Sequence, residues 1–91
     1  RRGAAEALEL VLRGDRKTSK VATRPVGEIK LPDGAQIGAI VRGPDEGPRE
    51  VIIPHRDTVI ASNDHVIVFV PHKGMIRDIE RLFQVSAIFL F

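Results

Sequence analysis

The chain has 91 residues, of which 43% are apolar and 29% charged, and this composition indicates one small folded domain rather than a disordered segment. Its 14 basic and 12 acidic residues give a net charge of only +2, and its four aromatic residues are all Phe, so the sequence lacks the basic stripe and stacking platform of most nucleic-acid-binding domains. The absence of cysteine excludes disulfides and thiolate zinc sites.

The N-terminal segment GAAEALELVLRGD, residues 3–15, predicts a short helix. Ala and Leu, which favour helices, dominate it, and Gly14 suits a helix C-terminus. Apolar side chains would cover nearly every face of this helix, so we expect it to be buried. The chain begins with Arg1 and Arg2 instead of Met, as a segment of a longer protein would. Residues 16–25 then predict a linker.

Short strands and turns are predicted from residue 26 onwards. Pro32, Asp33 and Gly34 form a typical turn, because Pro fixes φ and Gly tolerates positive φ. Gly38 suggests a bulge within its strand, and GPDEGP at residues 43–48 predicts a surface loop. The last predicted strand is the most β-prone and is apolar on both faces, so we expect it at the centre of the sheet. The predicted strands are VGEIKL (26–31), QIGAIVR (36–42), EVIIP (50–54), DTVIA (57–61) and VIVFV (66–70).

The segment GMIRDIERLF, residues 74–83, predicts an amphipathic helix with apolar side chains at helical spacing on one face and charged side chains on the other. The predicted fold class is therefore α+β. We expect a small, twisted, mostly antiparallel sheet or partial barrel of about five short strands, capped by the C-terminal helix and preceded by the N-terminal one.

No coherent catalytic or metal site is evident. His55, His65 and His72 are separated by ten and seven residues, which matches none of the common zinc patterns. Ser62, Asp64 and His65 share one turn and cannot easily form a catalytic relay. The glycines do not form a phosphate-binding loop. We therefore predict no catalytic residue, no metal ligand and no cofactor-binding residue in this segment.

Two surface features remain as candidate sites. Arginines beside the Gly/Pro loop could line an anion-binding cleft, since guanidinium groups suit phosphate and carboxylate, or could serve as solubilising charge. The candidate ligand-binding residues are Arg42, Arg49, His55 and Arg56. The apolar end AIFLF must either dock on its own domain or enter a partner interface. The candidate dimer-interface residues are Met75, Ile79, Leu82, Phe83, Ile88, Phe89 and Leu90.

Three segments in this order resemble one known family, the C-terminal regulatory (RCK_C, or TrkA_C) domains of bacterial potassium uptake proteins. They are RRGAAEALELVLRGD (1–15), GEIKLPDGAQIGAIVRG (27–43) and DTVIASNDHVIVFVPHKGMIRDIERLF (57–83). The resemblance implies that residues 26–91 form the regulatory domain, that 16–25 link it to the preceding segment, and that 1–15 end or connect an upstream nucleotide-binding domain.

The resemblance also implies a function. The domain would be non-enzymatic and dimerising, and it would help to gate potassium transport together with a membrane transporter subunit. NAD(H) would bind in the upstream domain rather than here, and the location would be the cytoplasmic side of the bacterial plasma membrane. The alternative is a small-barrel nucleic-acid-binding domain, which requires a basic face and salt-dependent binding.

Overall fold

The computed structural model describes residues 5–14, 19 and 21–90, which form one antiparallel sheet and one helix. Single 3-10 turns lie at Val26–Glu28 and Lys73–Met75. The regular elements are β1 (Glu6–Val11), β2 (Gln36–Arg42), β3 (Glu50–Ile52), β4 (His65–Val70), α1 (Ile76–Phe83) and β5 (Ile88–Phe89).

The strand order in the sheet is β3-β2-β4-β1-β5, and every pair is antiparallel. This confirms the α+β fold with five short strands and a capping C-terminal helix, and it confirms β4 as the central strand. The predicted bulge at Gly38 is also present, because the β2–β4 register shifts between Ile37 and Ala39.

The predicted N-terminal helix is wrong, because residues 6–11 form β1, between β4 and β5. Leu8, Leu10 and Leu12 are fully buried and alternate with the less buried Glu9 and Val11, which is the period of two expected of a strand. Hydrogen bonds to both neighbouring strands satisfy backbone groups of β1. This stabilisation by tertiary contacts outweighs the modest helix propensity of Ala, Leu and Glu. The segment is buried, as expected, but in the sheet.

Two further predicted strands, 26–31 and 57–61, are also wrong. Residues 26–27 bond instead to residues 56–58 outside the sheet: the Val26 amide donates to the Thr58 carbonyl and the Gly27 amide to the Arg56 carbonyl, both at 2.8 Å. Only one isolated bridge, between Pro25 and Val59, forms there. The predicted turn before β2 is present.

The apolar C-terminal segment pairs with β1 as the edge strand β5. The Leu90 amide extends this pairing by donating to the Ala7 carbonyl at 2.8 Å. The backbone therefore docks on its own domain, while the side chains of Ile88, Phe89 and Leu90 remain about half-exposed.

The two faces of the sheet differ in what covers them. On the inner face, α1 packs with its buried Ile76, Ile79 and Phe83. The strand residues of this core are Leu8, Leu10, Ile40, Val66, Val68 and Val70. The helix ends at Gln84, whose φ of 62° is left-handed and turns the chain towards β5. No helix within the described residues is long and apolar enough to cross a membrane.

Candidate functional site

The opposite side of the sheet, which we call the outer face, is only partly shielded from solvent. Phe69 is 45% exposed, Ile88 55% and Val51 64%. Strand alternation and register place one set of side chains on this face. The outer face consists of Ala7, Glu9, Val11, Gln36, Ala39, Val41, Val51, His65, Ile67, Phe69 and Ile88. Most of these side chains are apolar, which is unusual for the solvent side of an antiparallel sheet.

One acid–base pair of side chains lies within this apolar surface. Glu9 on β1 and His65 on β4 are diagonal cross-strand neighbours, and the His65 Nδ1 atom lies 2.7 Å from the Glu9 Oε2 atom. The other ring nitrogen, Nε2, lies 3.9 Å from Asp45 Oδ1 in the β2–β3 loop. The side chains of Glu9 and His65 are each about four-fifths buried. The pair therefore interrupts the apolar surface without projecting from it.

The bulge glycine shapes the same face. A Cβ atom at Gly38 would overlap the ring of Phe69, so the ring lies directly across the backbone of β2 at this position. Only glycine permits this close approach. Phe69 is thereby held flat on the outer face.

A cleft of about 350 Å³ lies at the end of the outer face, where β1 ends and β4 begins. Arg13 donates a hydrogen bond of 2.6 Å to Asn63 Oδ1 across it. The lining residues are Val11, Arg13, Gly43, Pro44, Asp45, Asn63 and His65. Its charges are mixed, and within the described residues no group of three His, Asp or Glu side chains could hold a metal ion.

The cleft is lined by none of the four candidate ligand-binding residues. Arg42 is engaged with Asp64, and Arg49 lies 3.5 Å from the exposed carboxylate of Asp45. The Nδ1 atom of His55 accepts a hydrogen bond from the Asp57 amide, and Arg56 lies exposed beside Gly27. Their assignment to an anion site stays a prediction.

The Arg42–Asp64 pair contains the most buried carboxylate of the ion pairs among the described residues, since the Asp64 side chain is only 2% exposed. Arg42 donates from Nε to Asp64 Oδ1 at 2.9 Å and from Nη2 to Oδ2 at 2.7 Å. A further bond joins Nη2 to the Val59 carbonyl, and the Ala61 amide donates to the same carboxylate. The hydrogen bonds to Asp64 raise the pKa of Arg42 above its ordinary value; partial burial opposes this, and the charge of Asp64 adds to it. The pair fixes the turn that leads into β4.

The candidate dimer-interface residues divide into two groups. Met75, Ile79 and Phe83 lie in the core of the same chain and contribute almost no exposed surface. Their assignment to a dimer interface stays a prediction. Leu82 on α1 is partly exposed. The remaining candidates, Ile88, Phe89 and Leu90, stay available at the edge of the sheet.

Sequence reasoning missed most of the outer face. The sequence pattern places His65 in a turn, and Ile67 and Phe69 in a strand buried on both faces. Recognising β1 as a strand would have put Glu9 beside β4, and the leucine alternation at residues 8, 10 and 12 was the available signal.

Comparisons with known proteins agree on one family. The TrkA-C domain family model matches residues 16–84. The chain is 55% identical over 98% of its length to the Trk system potassium uptake protein TrkA of Halomonas elongata, and 54% identical over 99% to the protein of the same name from Vibrio alginolyticus. A Methanosarcina mazei relative, Trk system potassium uptake protein TrkA homolog 2, is 34% identical over 88% of the chain. The chain spans only 18% and 19% of the lengths of the first two relatives.

Proposed function

Because the chain belongs to the TrkA-C domain family, we propose that it is the C-terminal regulatory domain of a bacterial potassium uptake protein. The observation that carries this proposal is identity above 50% to two TrkA proteins over nearly the whole chain. In this proposal the domain performs no catalysis. It self-associates as a homodimer and transmits the state of an upstream NAD(H)-binding domain to a membrane potassium transporter subunit, on the cytoplasmic side of the membrane.

The physical basis is a coupling between self-association and transport. A ligand bound in one part of an assembly changes activity elsewhere only if it favours one of two arrangements. A small domain with an uncovered apolar face can supply such an arrangement by associating. The outer face and the half-exposed β5 therefore support a binding role more than a chemical one.

The proposal is tested by potassium or rubidium uptake in cells that lack their own uptake regulator and express the full-length parent protein. Removal of residues 5–91 from the parent is expected to change the uptake rate by about fivefold or more, which is the lower end of typical allosteric couplings. The control is the full-length protein with Arg81→Met, a change at an exposed ion pair with Asp78. Unchanged uptake by a truncated protein that accumulates normally would contradict a regulatory role.

A further inference from the structure

We propose that a second copy of this chain docks on the outer face, so that each copy buries its Glu9–His65 pair in a two-fold symmetric interface. The inference rests on the self-association in the proposed function and names the surface responsible for it. The interface is assigned to the sheet instead of to α1, because the buried apolar side chains of α1 already pack in the core of the same chain.

The first argument is the apolar character of this face. Ile67 and Phe69 lie along the central strand, and Val51 and Ile88 lie towards the two edges. Monomeric proteins seldom leave a contiguous apolar surface of this kind in water, and where they do it usually marks association. By contrast, the solvent side of α1 carries the charged residues Arg77, Asp78 and Arg81, which are exposed.

The second argument is charge. A surface that docks on a copy of itself must be complementary to itself under a two-fold rotation. The outer face meets this condition because its acid and its base stand side by side, with 2.7 Å between Glu9 Oε2 and His65 Nδ1. Arg13 and Asp45 line the cleft beside the pair, so the ionisable groups at this end of the face include both acids and bases. A partner with a strongly basic or strongly acidic surface would match this face less well.

The third argument is area. Strands of the observed lengths, about 4.8 Å apart and rising about 3.3 Å per residue, give the face roughly 400 Å² in projection. Side chains that stand above the backbone enlarge the accessible area, so two docked copies bury on the order of 1,000 Å² in total, the lower limit for a specific interface. The expected dimer is therefore of moderate affinity, and its dissociation is open to measurement.

The interface is tested by sedimentation of the 91-residue chain over a range of concentrations. The wild type is expected to be a dimer, and Phe69→Glu is expected to raise its dissociation constant by about 30-fold or more, the effect of losing one interface hot spot. Leu82→Glu, on α1, is the matched control, and we expect it to change the dissociation constant of the dimer by less than about threefold. Circular dichroism and urea unfolding establish that each variant is folded. Ile88→Glu, which alters a more exposed residue of the same face, replaces Phe69→Glu if that variant does not fold.

The outcomes separate this inference from the proposed function. A wild-type chain that remains monomeric at high micromolar concentration would contradict homodimerisation itself. A dimer that survives Phe69→Glu and Ile88→Glu would overturn only the assignment to the outer face. Dissociation by Leu82→Glu but not by Phe69→Glu would move the interface to α1.

Discussion

Replacement of Arg42 with methionine is expected to lower the free energy of unfolding by about 3 kcal/mol, because it leaves a buried carboxylate without its partner. The Asp64 side chain is only 2% exposed, and Arg42 supplies two of the hydrogen bonds to its oxygens. Methionine keeps most of the apolar stem of arginine, so the lost packing is small. The Ala61 amide still donates to the carboxylate, and the guanidinium side of the pair is partly open to water. The expected loss of stability therefore lies at the lower end of the range for breaking a buried ion pair.

A double variant gives the sharpest test of this explanation. Arg42→Met combined with Asp64→Asn is expected to be more stable than Arg42→Met alone, because the neutral amide oxygen can still accept from Ala61 without burying a charge. Arg49→Met is the matched control: its partner Asp45 is almost fully exposed, so the expected loss is below about 0.5 kcal/mol. Urea unfolding at one fixed protein concentration measures the free energy of unfolding of Arg42→Met, of the double variant and of Arg49→Met. A double variant less stable than the single one would contradict the cost assigned to the buried carboxylate.

The sequence correctly predicted those elements in which local propensity and tertiary packing favour the same secondary structure. β4 consists mostly of β-branched and aromatic residues, and α1 has helical apolar spacing, so propensity and packing agree. In β1 they disagree: Ala7, Leu8 and Leu10 favour a helix locally, but the sheet offers this segment two strand partners from distant parts of the chain. The runs at 26–31 and 57–61 have strand-like composition yet no place in the sheet, since β3 and β5 occupy its edges.

The site was less predictable than the fold because it depends on register. Glu9 and His65 are 56 residues apart, and Arg42 and Asp64 are 22 apart, so neither pair is evident before the strands are aligned. A one-residue slip in a strand would send every side chain to the other face. The wrong helix at residues 3–15 therefore concealed the outer face as well, because it removed the strand that carries Glu9.

Replacement of Phe83 with alanine is expected to lower the free energy of unfolding by about 3–5 kcal/mol, because it removes the largest fully buried side chain at the end of α1. A domain of 91 residues is stabilised by only about 5–14 kcal/mol in total, so the variant should approach the limit of stable folding. The ring joins α1 to the inner face of the sheet, and alanine would leave a cavity that Ile79 and its neighbours cannot fill without moving. Thermal and urea unfolding measure the loss.

Phe89→Ala is the matched control, since it removes the same ring from a half-exposed position on β5. We expect it to cost about 1 kcal/mol, because roughly half of the apolar area is already in water in the folded chain. The pair of variants also separates core from interface: Phe83→Ala should destabilise the folded chain at every concentration, as a core residue does. A Phe83→Ala variant that unfolds no more easily than Phe89→Ala, but dissociates more readily, would return Phe83 to the dimer interface and contradict the packing of α1 on the inner face.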